Sequence, residues 1–231
     1  MKTLLITGGS AGIGASTAHL FADAGFRVIN LSRRPCPVAQ ALHLSCNLAD
    51  PDFIDTIDAP LRRELEQAET LVLVHNAARM ENDRAVDTSA RAMQDVLAVN
   101  VVAPTALNQL CFPYMKPGSA ILYVGSTLSE KAVPGSYSYV TSKHAMVGMM
   151  RATCQDLAGS GVHTVCVCPG FTDTEMLRQH VPVDALVAVQ AISAFNRLID
   201  PTEIAETLLF AATHPVLNGA VVHANLGQVE R

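Results

Sequence analysis

A short apolar run, Lys2 to Thr7, ends in Gly8-Gly9-Ser10-Ala11-Gly12-Ile13-Gly14. From there Ile13, Thr17, Leu20, Phe21 and Ala24 recur at i, i+4, i+7, i+8 and i+11. The first pattern reads as a buried strand and the second as a helix with one buried face. A strand, a glycine-rich turn and a helix in immediate succession leave few folds open. The glycines allow positive φ and a close approach to the backbone, and the helix start offers free N–H groups and a positive dipole end to a phosphate. The spacing here is G-x-x-x-G-x-G, at Gly8, Gly12 and Gly14. It predicts a dinucleotide site in which Gly8, Ser10, Gly12, Ile13 and Gly14 contact the cofactor.

The rest of the chain repeats the alternation. Strand signals at 26–31, 41–45, 70–74, 120–124, 161–168 and 220–224 are separated by helical patterns, which implies a doubly wound parallel sheet. Asp50-Pro51 opens a helical segment that Pro60 is expected to break or restart. A long helix is expected over 88–112, with Asn100 in its middle and Pro104 four residues on, and another over 137–158. Asp200-Pro201-Thr202-Glu203 has a cap residue, Pro at N1 and Glu at N3, the pattern of a helix start. With 231 residues, 49% of them hydrophobic and 16% charged, one globular domain over 1–231 is expected.

Composition also narrows the partners. A net charge of −5 with no basic run argues against nucleic acid. The apolar opening stops at Thr7, too soon for a signal peptide, and no stretch of ~18 apolar residues reads as a membrane span. Six scattered cysteines, with Cys166 and Cys168 on one face of an apolar strand, suit reduced core thiols in the cytoplasm, with no metal site.

Two further clusters carry chemistry. Tyr139-x-x-x-Lys143 lies in the helical pattern 137–158, where i,i+4 spacing stacks phenol and ammonium on one face. A free phenol titrates near ~10, and an adjacent cation moves it toward the working range of an acid-base catalyst. Ser126, thirteen residues upstream, follows the buried run Ala120-Ile121-Leu122-Tyr123-Val124 and so stands at a strand's C-terminal end, where open α/β sheets bind ligands. At the end of the second strand, where an NAD site usually carries a carboxylate ~20 residues past the glycines, the chain has Ser32-Arg33-Arg34. Two guanidiniums and no carboxylate suit the 2′-phosphate of NADP.

In this order the features resemble the short-chain dehydrogenase/reductase family, from Thr7 to Gly170 and more weakly to the C-terminus. The resemblance implies a single-domain α/β Rossmann fold: a doubly wound seven-stranded parallel sheet with helices on both faces. It implies Asn100, Ser126, Tyr139 and Lys143 as catalytic residues, with Asn100 anchoring a water that relays protons to Lys143. It adds Asn47 and Leu48 beside adenine, the strand end Asn76-Ala77-Ala78, the turn Pro169-Gly170 over nicotinamide with Thr172 and Thr174 after it, and Tyr139 and Lys143 as further cofactor contacts. Asn47 replaces the family's Asp, Ala78 its glycine, and Asn225-Leu226-Gly227 its terminal Asp-Gly-Gly. By position, 171–199 is the substrate lid, with Met176, Leu177, Leu186, Val189, Ile192 and Phe195 as candidate pocket residues.

The activity implied is NADP-dependent reduction of a small-molecule ketone or aldehyde. The stretch from Pro169 to Met176 is similar to that of the pteridine and diketone reductases, with 3-oxoacyl reductases comparably suited. The family also implies a homodimer or homotetramer through the helices near 88–112 and 137–158, where Met146, Met149 and Met150 suit burial against a partner. A nucleotide-sugar epimerase or dehydratase shares Tyr-x-x-x-Lys, but resembles a G-x-x-G-x-x-G turn with a larger C-terminal domain. A non-catalytic dinucleotide sensor would explain Ala78 and Asn47 and leave the four catalytic residue types without a purpose.

Overall fold

The computed structural model describes residues 1–228; the last three residues of the expected domain, 229–231, lie outside the described residues. Among the described residues seven strands are present: β1 (Lys2–Thr7), β2 (Arg27–Ser32), β3 (Leu42–Ser45), β4 (Thr70–His75), β5 (Ala120–Val124), β6 (His163–Pro169) and β7 (Val221–Ala224). They form one sheet in the order β3-β2-β1-β4-β5-β6-β7. Every pairing is parallel, with Lys2 opposite Thr70 and Ile6 opposite Val74 at the centre. The chain runs outward from β1 in one direction and from β4 in the other. The crevice between the carboxyl ends of β1 and β4 is therefore the topological switch point.

Both faces of the sheet are covered, which is why the strands read as continuous apolar runs rather than alternating ones. On one side Leu5, Leu73 and Ile121 pack with Ile57, Leu61, Leu107, Met146 and Met150 from α2 (Phe53–Leu65), α4 (Ala103–Cys111) and α5 (Tyr137–Asp156). On the other, Leu4, Ile6, Val74 and Leu122 pack with Ala18, Phe21, Ile204 and Leu208 from α1 (Gly12–Asp23) and α7 (Pro201–Thr213). The capping box expected at Asp200 forms, with Glu203 as its N3 residue.

Four expectations are corrected. Pro60 neither breaks nor restarts its helix: α2 runs through it. The carbonyl left without its i+4 donor is that of Thr56, an exposed residue, while the buried stripe Phe53, Ile57, Leu61 and Leu65 holds the helix to the core. The helix expected over 88–112 is divided into α3 (Ala90–Leu97), a π-helical segment Ala98–Val102 and α4. Pro104 cannot return an N–H to the carbonyl of Asn100, so a regular i,i+4 ladder is impossible here.

Met146 and Met150 are fully buried in the protein's own core and are not free to meet a partner; only Met149 is half-buried. Finally, the run Ala90–Tyr114 is long and apolar enough to cross a membrane by length and composition, although unbroken apolar sequence is missing from it. It packs against the sheet through Ala103, Leu107 and Cys111. Its buried Asn100 and Asn108 are hydrogen-bonded to residues of other elements.

Candidate active site

The glycine turn leaves β1 and enters α1 with no room for side chains. A Cβ on Gly14 would stand 2.1 Å from the Gly8 carbonyl oxygen, and Gly8 and Gly12 have φ of +69° and +50°. The N-cap residue, Ala11, has no side-chain acceptor to cap the helix, and the first turn has no acidic residue. The free N–H groups and dipole end of a twelve-residue helix are thus left for an outside anion, so these residues fit the pyrophosphate of a dinucleotide. Ser10 and Ile13 are half-buried beside the turn.

Two residues that the sequence did not single out hold this turn in place. Asn30, fully buried on β2, accepts the Gly9 N–H at 2.9 Å, and its amide nitrogen reaches Ser32 Oγ at 3.0 Å and His43 Nδ1 at 3.1 Å. Thr7 Oγ1 accepts the N–H groups of Asn76 and Ala77, both at 3.0 Å, and Asn76 Nδ2 donates to the carbonyls of Thr7 and Gly8 at 3.0 and 3.1 Å. A buried Asn in an apolar strand was the available signal for the first. Asn76 and Ala77 therefore brace the glycine turn, with half-buried Ala78 following.

At the β2 end the Ser32 hydroxyl donates to the Arg34 carbonyl, which curls the loop back on itself. Arg33 is exposed. Arg34 holds the carboxylate of Glu175 at 2.9 Å, an ion pair between distant segments that no local pattern signals. Asn47 is exposed and its side-chain oxygen accepts the Ala49 N–H, whereas Leu48 lies in the core cluster beneath it.

Ser126 follows β5 after Gly125, whose missing Cβ is demanded by two sulfurs: an added carbon would meet Cys168 Sγ at 2.7 Å and Cys166 Sγ at 2.8 Å. The two cysteines are buried, with sulfurs 3.8 Å apart. The hydrogen bond between the two free thiols, and then burial, push the Cys166 thiol up, so it stays protonated. Ser126 caps a 3₁₀ turn (Thr127–Ser129), accepting the Leu128 N–H at 3.1 Å. Its oxygen is thus anchored while its own proton stays available to a substrate.

Tyr139 and Lys143 lie one turn apart on α5, both buried, with Lys143 Nζ 5.4 Å from the Tyr139 ring centroid. Nζ donates to the Val124 carbonyl at 2.6 Å, which ties the ammonium to the end of the strand that delivers Ser126. Asn100, in the π-helical segment, is fully buried and brackets two elements. Its Oδ1 accepts the Arg79 N–H at 2.8 Å, and its Nδ2 reaches the Arg79 carbonyl and Ser142 Oγ, both at 2.9 Å.

Beyond β6, Gly170 packs so closely on Asn225 that a Cβ would stand 3.0 Å from its Cα. Thr172 is buried, and Thr174 caps α6 (Glu175–His180) while its methyl lies over Gly12. The start of the expected lid therefore rests on the glycine turn. Further along, Met176, Leu177, Leu186, Val189 and Ile192 are half-buried and Phe195 is 66% exposed, so this stretch adds no closed apolar core of its own.

Comparison with known proteins agrees with this geometry. Residues 2–184 match the family model described as short chain dehydrogenase. The chain is 31% identical to protein FixR of Bradyrhizobium diazoefficiens, over 98% of this chain and 86% of that protein. It is 29% identical to the 3-oxoacyl-acyl-carrier-protein reductase FabG of Thermotoga maritima, over 92% and 90% of the two chains. Among solved structures, the angucycline C-6 ketoreductase LanV with bound NADP superposes with a TM-score of 0.89 at 26% identity, covering 98% of this chain and 95% of that one.

Proposed function

The chain belongs to the short-chain dehydrogenase family of oxidoreductases, and from that premise we propose that it is an NADP-dependent reductase of ketone or aldehyde carbonyls. The observation that carries the reading is the tethering of the Lys143 ammonium, 5.4 Å from the Tyr139 ring centroid, to the end of the strand that delivers Ser126, on the same carboxyl edge of the parallel sheet as a glycine turn that takes no side chain.

Gly8, Gly12 and Gly14 with the start of α1 would hold the pyrophosphate, and Ser32 and Arg33 the 2′-phosphate. Bound NADPH supplies the hydride for the reduction. Ser126 donates its free proton to the carbonyl oxygen and so stabilises the charge that develops there. Tyr139 passes its phenolic proton to that oxygen as it becomes an alkoxide. Lys143, with one proton on the Val124 carbonyl, keeps two for the phenolate oxygen and the nicotinamide ribose. Asn100 positions α5 through Ser142, with its own carbonyl as the candidate water anchor.

FabG and LanV, as reductases of a 3-oxoacyl thioester and an angucycline ketone, support a carbonyl substrate. The test is NADPH oxidation against acetoacetyl thioesters, diketones, pteridines and quinones. Turnover of at least one of these by wild type and its loss in Tyr139→Phe is expected; oxidation of none overturns the reading.

A further inference from the structure

The segment from Arg79 to Asp83, between β4 and α3, reaches three parts of the site. Arg79 bonds Asn100 through both backbone groups, and the Met80 carbonyl meets His180 Nε2 of α6 at 3.1 Å. Asp83 meets the start of α5. Its N–H donates to the Gly135 carbonyl at 3.2 Å, and its own carbonyl accepts the Tyr137 N–H at 3.1 Å. Its Oδ1 accepts the Ser138 N–H at 3.0 Å.

That last bond replaces one the helix does not make for itself. The residue at the N-cap of α5, Ser136, makes no side-chain cap, and α5 has no acidic residue in its first turn. One of the helix's orphan N–H groups is instead satisfied by a carboxylate fifty-five residues away, beside the positive end of the dipole. The bonded amide belongs to Ser138, fully buried and adjacent to Tyr139. Residues 132–134, which lead into the helix, are exposed and give it little support.

We propose that Asp83 is a positioning residue for Tyr139: its carboxylate caps the first turn of α5 from outside and fixes the depth and rotation at which the phenol meets the substrate oxygen beside Ser126. This rests on the reductase reading above. The two backbone bonds of the strap do not depend on the side chain, so Asp83→Ala removes the cap and keeps the strap. Asp83→Asn retains an acceptor in the same place.

In steady-state reduction with NADPH, Asp83→Ala is expected to lower kcat about tenfold or more while the NADPH Kd stays within about twofold, and Asp83→Asn to recover most of the loss. Hydrogen exchange of the peptide spanning 135–142 should quicken in Asp83→Ala and not in Asp83→Asn. Unchanged kcat in Asp83→Ala, or an equal loss in Asp83→Asn, overturns the proposal. If wild type reduces no carbonyl compound, the reductase reading fails separately; unchanged exchange in Asp83→Ala then overturns the cap itself.

Discussion

The side chain of Asn100 is fully occupied by Arg79 and Ser142, so its contribution is to hold two elements together. Asn100→Ala strands the Arg79 backbone groups and should cost about 1–3 kcal/mol, read as a lower urea midpoint at unchanged m-value. Tyr139 differs, since among the described residues no hydrogen bond ties its phenol to another element: Tyr139→Phe should abolish reduction while leaving NADPH binding nearly intact. Turnover within about tenfold of wild type, a barrier change of only ~1.4 kcal/mol, removes it from the mechanism.

On the proposed NADP-dependent reading, Arg33 is expected to carry most of the cofactor choice. Arg34 already holds Glu175, so a 2′-phosphate has to share it, whereas Arg33 is exposed and closer to the strand end. A preference for NADPH of at least about tenfold in kcat/KM is expected, from charge-assisted bonds worth roughly 1.5–3 kcal/mol each before discounting for exposure. Arg33→Ala should reduce it more than Arg34→Ala, and Ser32→Asp with Arg33→Ala should invert it. Equal use of NADH by wild type makes these arginines ordinary surface residues.

Helices in this protein obey their buried faces before their local breakers. Pro60 sits in the exposed interior of α2 and survives because Phe53, Ile57, Leu61 and Leu65 are anchored on the sheet. Replacing it with Ala restores a donor to Thr56. An interior Pro costs ~3 kcal/mol, and the freer unfolded chain returns ~1, so Pro60→Ala should raise stability by about 1–2 kcal/mol in urea unfolding. No gain would mean the helix has already absorbed the missing bond. Asn100 and Pro104 mark the opposite case, since together they leave the ladder a π-helical segment that turns a buried amide toward Arg79 and Ser142. Both signals were visible in the sequence; the change of pitch depended on where the partners stood.

Across the whole molecule, one buried histidine couples the sheet to its covering helices. His75 Nε2 pairs with Asn108 Oδ1 at 2.8 Å, and Asn108 Nδ2 donates to Tyr123 Oη at 2.8 Å, joining β4, α4 and β5. Burial pushes His75 down to about 4, only partly opposed by its bond to Asn108. The folded value lies below the unfolded ~6.5, so its contribution is complete above pH ~6.5 and is lost as pH falls toward 4, by about 3 kcal/mol in all. Urea midpoints of wild type should fall over that window, and those of a His75→Asn variant should fall less.

Apolar association through the long helices is left to exposed Val102, Phe112 and Tyr137 and half-buried Met149, because Met146 and Met150 lie inside. Light scattering is expected to give a multiple of 24.6 kDa, and Val102→Asp to lower it. A wild-type monomer at micromolar concentration removes that surface.

Apart from Asn100 and the catalytic roles, which entered through the family resemblance, the sequence by itself determined the strand order, the parallel sheet, the glycine turn, Ser126 at a strand end and Tyr139 and Lys143 one helical turn apart. These depend on local periodicity, backbone freedom and residue type at short spacing, all of which are written along one stretch of chain. Only the tertiary structure decided that Asn30 and Thr7 brace the turn, that Cys166 and Cys168 forbid a side chain at Gly125, that Glu175 engages Arg34 and that Asp83 caps α5. Each of those is a contact between distant segments, and whether a polar or small residue supports the site or merely faces solvent is set by what the fold brings against it.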